Sequence, residues 1–266
     1  MGVVESVRAP AVAGRFYPAE AAELVRTVEA LLDAAPAMAL PGPPRALIVP
    51  HAGYAFSGPV AAAAFRALAP WLGNYRRVLL IGPAHHVPVV GLALAPHAAF
   101  ATPLGLVRVD REGGERLLAR CAGLCVHARP HAPEHALEVE LPFLQVLGAE
   151  ARILPVLVGG SDDAETAEVL EAAWDAETLV LVSSDLSHYE PLDRARAHDA
   201  ATAAAIEALD PRPVGPAEAC GYRAIRALLP LARARGLTAH RLALATSADA
   251  GGSSASVVGY GAWAFC

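Results

Sequence analysis

The chain has 266 residues, with 27 acidic against 21 basic side chains and a net charge of −6 at pH 7. No long lysine–arginine run is present, which argues against nucleic acid as a partner. Hydrophobic residues make up 55 %, but the uncharged stretch 87–107 holds Pro88, Pro96 and Pro103, which would break a spanning helix, so no membrane segment is expected.

The N-terminus shows no secretory signal, and Met1-Gly2 followed by Ser6 meets only the minimal myristoylation pattern with no second anchoring signal. Four cysteines are too few for a disulfide scaffold, and a reducing cytoplasm is the expected compartment. Cys121 and Cys125 read as small buried hydrophobes.

In chain order, the pattern predicts a helix over 18–34, then a proline-rich linker over 36–44. A strand at 46–49 leads to a helix over 59–68, with Pro59 in its first turn. A strand at 78–81 follows, then short strands around 92–94 and 106–109, and helices over 112–120 and 136–147. The runs 153–158 and 179–183 are continuously apolar, as in strands buried on both faces, with a helix over 163–173 between them. Helical patterns cover 193–209 and 220–235, the second kinked or divided at Pro230 and stopped by Gly236. Strands at 241–245 and 255–265 close the chain. The alternation predicts one α/β domain over 1–266 with a mostly parallel central sheet and antiparallel additions.

Three of these strands end in histidine-bearing loops. LIVP leads to His51, VLLIGPA to His85 and His86, and LVLVSSD to His188. Ligands collect outside the carboxyl ends of parallel strands, so the three loops should converge on one crevice as a metal site or an acid–base site. Adjacent residues in an extended segment point oppositely, which assigns His85 to the crevice and leaves His86 beside it as a supporting or substrate-contacting group. Tyr54, at the end of PHAGY, falls in the same pocket or its support. Asp185 and His188, three apart at an expected helix start, would share a face, so the carboxylate could fix the imidazole tautomer. Within EHALEVELPFLQ, helical spacing would stack Glu134, and His135 beside it, over Glu138, as support for metal ligands. Cys220 stands at the apparent start of a helix. It reads either as a buried thiol or as a thiolate ligand or nucleophile favoured by the helix end.

The segments AGRFYPA, PHAGYAFSGPVAA, GPAHHVP, TPLG, EHALEVELPFLQ, PVLVG, SSDLSHY, ACGYRAI and SVVGYGAWAF, in this order, resemble the Memo family almost end to end. Its bacterial members include AmmeMemoRadiSam system protein B. The resemblance implies the fold of LigB-type (class III) extradiol dioxygenases, an α/β sheet with helices on both faces. It implies His51, His85 and Cys220 as metal ligands, with His188 as the acid–base group and Asp185 flanking the metal. The dioxygenases hold Fe(II) with two histidines and a carboxylate. A cysteine in the carboxylate's place keeps Fe(II) first while making copper or zinc competitors. The activity implied is that of a non-haem iron or copper oxidoreductase-like enzyme. The alternatives are a non-catalytic metal- or peptide-binding partner of AmmeMemoRadiSam system protein A and radical SAM proteins, and a zinc hydrolase with His188 as general base. The chain departs from the family pattern at Ala136, where serine is usual, at Glu140, where glutamine is more frequent, and after Asp249, where the usual charged residues are missing.

Overall fold

A computed structural model describes residues 6–266, so the Met1-Gly2 pattern lies outside the described residues. The elements are β1 (Val7–Arg8), α1 (Ala21–Ala34), β2 (Ala46–Val49), α2 (Tyr54–Leu68), β3 (Arg77–Pro83), β4 (Leu92–Leu94), β5 (Ala99–Thr102), β6 (Gly105–Arg108), α3 (Arg111–Arg120), β7 (Leu124–Val126), α4 (Ala128–His131), α5 (Leu141–Val146), β8 (Arg152–Val158), α6 (Asp163–Ala173), β9 (Thr178–Ser183), β10 (His188–Glu190), α7 (Leu192–Glu207), α8 (Tyr222–Ala234), β11 (Ala239–Thr246) and β12 (Val257–Phe265). Among the described residues no helix is long and apolar enough to cross a membrane.

Nine strands form one sheet in the order β10-β12-β2-β9-β3-β8-β4-β7, with β11 paired to β12. Its centre, β2, β9, β3 and β8, is parallel. Every residue of β2 and β9 is buried, which is why these strands read as unbroken apolar runs. The flanks carry the antiparallel additions expected beside a parallel centre. β4 runs antiparallel to β8, while β12 runs antiparallel to β2, β10 and β11. For β11 and β12 the reason is local: they are joined by a turn-containing loop rather than a helical crossover, and only antiparallel strands can be joined so directly. β1, β5 and β6 make a separate three-stranded sheet.

Alternate residues of the central strands feed opposite layers. Leu47, Val49, Leu80 and Leu181 pack with Leu24 and Val28 of α1, the alanine run and Phe65 of α2, and Phe143 of α5. Ile48, Leu79, Ile81 and Val182 face the other way, onto Val169 of α6, Ile206 of α7 and Ile225 and Leu228 of α8. Helices therefore cover both faces. Phe65 and Phe143 stack with ring centroids 4.8 Å apart, and truncating either buried ring to alanine would cost about 3–5 kcal/mol.

Several boundaries depart from the sequence expectation. α2 begins at Tyr54, so Pro59 lies inside it. α8 runs through Pro230 unbroken, its apolar face buried on the sheet. The single helix expected over 136–147 is instead a 3₁₀ turn, Glu138–Glu140, followed by α5 with Pro142 in its first turn. The three-residue strands β7 and β10 and the four-residue β5 carry too few residues for a periodic signal.

Candidate metal centre

β2, β9 and β3 are neighbours in the sheet and parallel, so their carboxyl ends open on one side. His51 follows β2, His85 follows β3, and the Ser184–Ser187 segment follows β9. The loop between α7 and α8 delivers Cys220 to the same place. There the Cys220 N–H donates to the Asp185 carbonyl (3.3 Å) and the Gly221 N–H to Ser184 Oγ (2.9 Å). Glycine at 221 is required by space, since a Cβ there would lie 2.7 Å from the Ser184 Cβ. The His51 and His85 rings are 5.1 Å apart. Cys220 Sγ lies 3.3 Å from His51 Nε2 and accepts the Asp185 N–H, also at 3.3 Å. One ligand atom from each of His51, His85 and Cys220 falls within 4.8 Å of the other two.

Both imidazoles have their Nδ1 engaged. His51 Nδ1 is 2.7 Å from Ser183 Oγ, and His85 Nδ1 is 2.8 Å from Glu134 Oε1. Such partners hold the Nδ1 proton and turn Nε2 toward the site. Burial, reinforced by His85, pushes the His51 pKa down to about 3, so this ring stays neutral as a ligand must. Burial and the nearby Asp185 push the Cys220 thiol up to about 12. Only a cation would hold it as thiolate at neutral pH. Two imidazoles and a thiol beside a cavity are a donor set suited to iron, copper or zinc.

His85, Glu134 and His135 form a second cluster of the same size, but its chemistry is that of support. Glu134 accepts the His85 N–H (2.6 Å), the His85 Nδ1–H, and the His135 and Ala136 N–H groups (both 3.0 Å). Burial alone would raise its carboxyl, yet the His85 bond and charge and these N–H donors outweigh that and hold it at about 2. A carboxylate with four donors has little left for an ion.

The other expected residues are placed as follows. His135 stacks on His85 with centroids 4.8 Å apart and 20° between planes. Its Nδ1 lies 3.3 Å from Nε2 of the exposed His86. The buried Tyr54 hydroxyl donates to the Val139 carbonyl (2.6 Å). Asp185 and His188 do not lie at a helix start. The segment is irregular until β10, and the Asp185 carboxylate accepts the backbone N–H of His51 (2.7 Å). Burial lifts the Asp185 pKa to about 6 against that bond and the pull of His188. His188 is half-buried and is followed by Tyr189, whose φ of 60° lies in the left-handed region. Glu134 and Glu138 do not stack, because no helix joins them. Glu138 instead binds Arg8, the Ala11 and Val12 N–H groups (2.7 and 3.0 Å) and the Tyr17 hydroxyl (2.5 Å).

A cavity of about 570 Å³ opens beside the cluster. Its lining includes His85, His86, Cys220, Val89, Tyr222 and Arg223. Residues 8–264 match the family model described as Memo-like protein. The chain is 36 % identical to a MEMO1 family protein of Methanopyrus kandleri over 97 % of this chain and 98 % of the relative. Similar proteins of Sulfolobus acidocaldarius (35 %, 96 % and 97 %) and Thermotoga neapolitana (34 %, 96 % and 98 %) share the same label.

Proposed function

The chain belongs to the Memo-like family, and from that membership we propose that it is a metal-dependent, oxidoreductase-like enzyme acting on a compound held in the cavity beside His85 and Cys220. The observation that carries this reading is the meeting of two Nε2-presenting imidazoles and a cysteine sulfur at one sheet end. On this reading the whole chain is one domain and its sheet is of the LigB type.

His51 Nε2, His85 Nε2 and Cys220 Sγ would hold the ion, iron first and copper next. Bound there, the ion would supply a redox-active centre and a Lewis acid at the cavity wall. The chain's own residues do the rest. Ser183 and Glu134 hold the two imidazoles at Nδ1. Asp185 fixes the backbone at His51 and contributes negative charge beside Cys220. His188, near enough to both His51 and Asp185 to act on their proton affinities, would take or give a proton as the substrate reacts. Val89 and Tyr222, with Pro83 and Pro88, give the cavity apolar walls against which the body of a substrate would pack.

Metal content of protein purified without oxygen and without an affinity tag, beside a Cys220→Ala variant, tests the reading. Near-stoichiometric iron or copper that falls in the variant is the expected result. Stoichiometric zinc would favour hydrolysis with His188 as general base, and absence of metal from the native protein would overturn the reading.

A further inference from the structure

Ser183 Oγ lies 2.7 Å from His51 Nδ1, 2.6 Å from the Ala136 carbonyl oxygen and 3.1 Å from Glu140 Oε1. The hydroxyl has one hydrogen and two lone pairs for these three partners. The Ala136 carbonyl can only accept, so the Ser183 hydrogen points there. The other two partners then face lone pairs, and each must bring its own hydrogen. His51 brings Nδ1–H. From Glu140 only a protonated carboxyl can supply one. We infer that Glu140 is a neutral carboxylic acid whose O–H donates to Ser183, making it a positioning residue that acts on His51 through that hydroxyl.

Two other glutamates a few residues away provide the contrast. Glu134 and Glu138 are as deeply buried, at 2 % and 0 % exposed against 1 % for Glu140. Each of those two collects four donors, including an imidazole or a guanidinium. Glu140 has Ser183 alone, and its Oε2 has no partner. A bare buried carboxylate of that kind is strongly disfavoured and takes up a proton instead. Burial, with the like charge of Asp185 adding to it, moves the Glu140 pKa well above the ordinary range. The neutral acid closes the hydrogen-bond shell of Ser183, so the hydroxyl has no competing acceptor to turn to. His51 then keeps its proton on Nδ1 and its Nε2 lone pair toward Cys220.

The protonation state stands on hydrogen-bond counting and burial, whereas its value for ion binding rests on the metal reading above. Infrared difference spectra of metal-free native protein and Glu140→Gln at neutral pH should show a carboxylic-acid carbonyl band only in the native protein. A carboxylate band in its place would overturn the inference. Long-range ¹⁵N–¹H correlation should find His51 as the Nδ1–H tautomer, and an Nε2–H tautomer would likewise overturn it. In zinc titrations Glu140→Leu, which removes the donor, should bind about tenfold more weakly. Glu140→Gln, whose amide N–H can replace the acid O–H, should restore native affinity. Equal weakening in both variants, each folded by circular dichroism, would sink the positioning role. If native protein binds no zinc, iron or copper, the metal reading falls and the infrared band and tautomer still decide Glu140.

Discussion

The two imidazoles of the site reach the same orientation by opposite chemistry. His51 is 1 % exposed and its ring nitrogen Nδ1 is held by neutral groups, a serine hydroxyl and the acid behind it. His85, at the cavity wall, leans on an ionised carboxylate that is itself held by backbone N–H groups. A buried carboxylate is stable only with enough donors, and Glu134 has four where Glu140 meets Ser183 alone. Both carboxyls behind these rings are buried, so the comparison teaches that the donors around a buried carboxyl decide whether it works as an ion or as a neutral acid.

The strongest way to break the comparison is to remove the anchor of His85. Glu134→Ala should leave three backbone donors and an imidazole without an acceptor and cost about 3–5 kcal/mol, read from urea denaturation. Metal affinity should fall by about 10–100-fold, read by competition with a chelator. A loss below 1 kcal/mol would show that the carboxylate is not the anchor.

The next effect separates the two sides by pH. The folded Glu134 carboxyl is depressed from 4.5 to about 2, so its contribution is present above pH 4.5 and is lost as pH falls from 4.5 toward 2. A shift of that size corresponds to about 3 kcal/mol. His51 is also depressed, from 6.5 to about 3. As a base kept neutral in the fold, it loses its contribution between pH 6.5 and 3. Denaturation midpoints of metal-free Glu134→Gln against pH should therefore keep the decline that begins near pH 6.5 and lose the steepening below pH 4.5. An unchanged acid limb would place the charge elsewhere.

Ser183→Ala should cost about 1–3 kcal/mol, since His51 Nδ1 and the Ala136 carbonyl lose their shared partner. Its calorimetric midpoint should drop less than that of Glu134→Ala, and a larger drop would reverse the ranking of the two sides. The smallest effect belongs to His86→Ala. The ring is exposed, meets His135 at 3.3 Å and lies edge-on to His85 with centroids 6.4 Å apart, so stability should stay within about 0.5 kcal/mol by thermal melts.

Much of this was legible in the sequence because the central strands are fully buried. Unbroken apolar runs at β2, β3, β8 and β9 marked the strands, and the polar residues after them marked the loops that carry His51, His85 and His188. The four-residue β2 was read with its observed ends, as was α6, whose Asp162–Glu165 capping box is a local signal. What stayed hidden depends on contacts distant in sequence. Ser183 reads only as the last residue of the strand 179–183, yet it meets His51, 132 positions away. Asp185 seemed paired to His188 by spacing, but its bond runs to the His51 backbone. The split of 136–147 also escaped periodicity, because Glu138 and Glu140 point into buried partners instead of following a solvent-facing stripe.

The cavity wall includes His85 and Cys220 but not His51, and that asymmetry sets an order of events. On the proposed metal reading, an ion arriving from solvent would meet His85 and Cys220 before it met His51. The last water would be exchanged for the innermost nitrogen, and the rate of exchange would answer to a residue that no chelator touches.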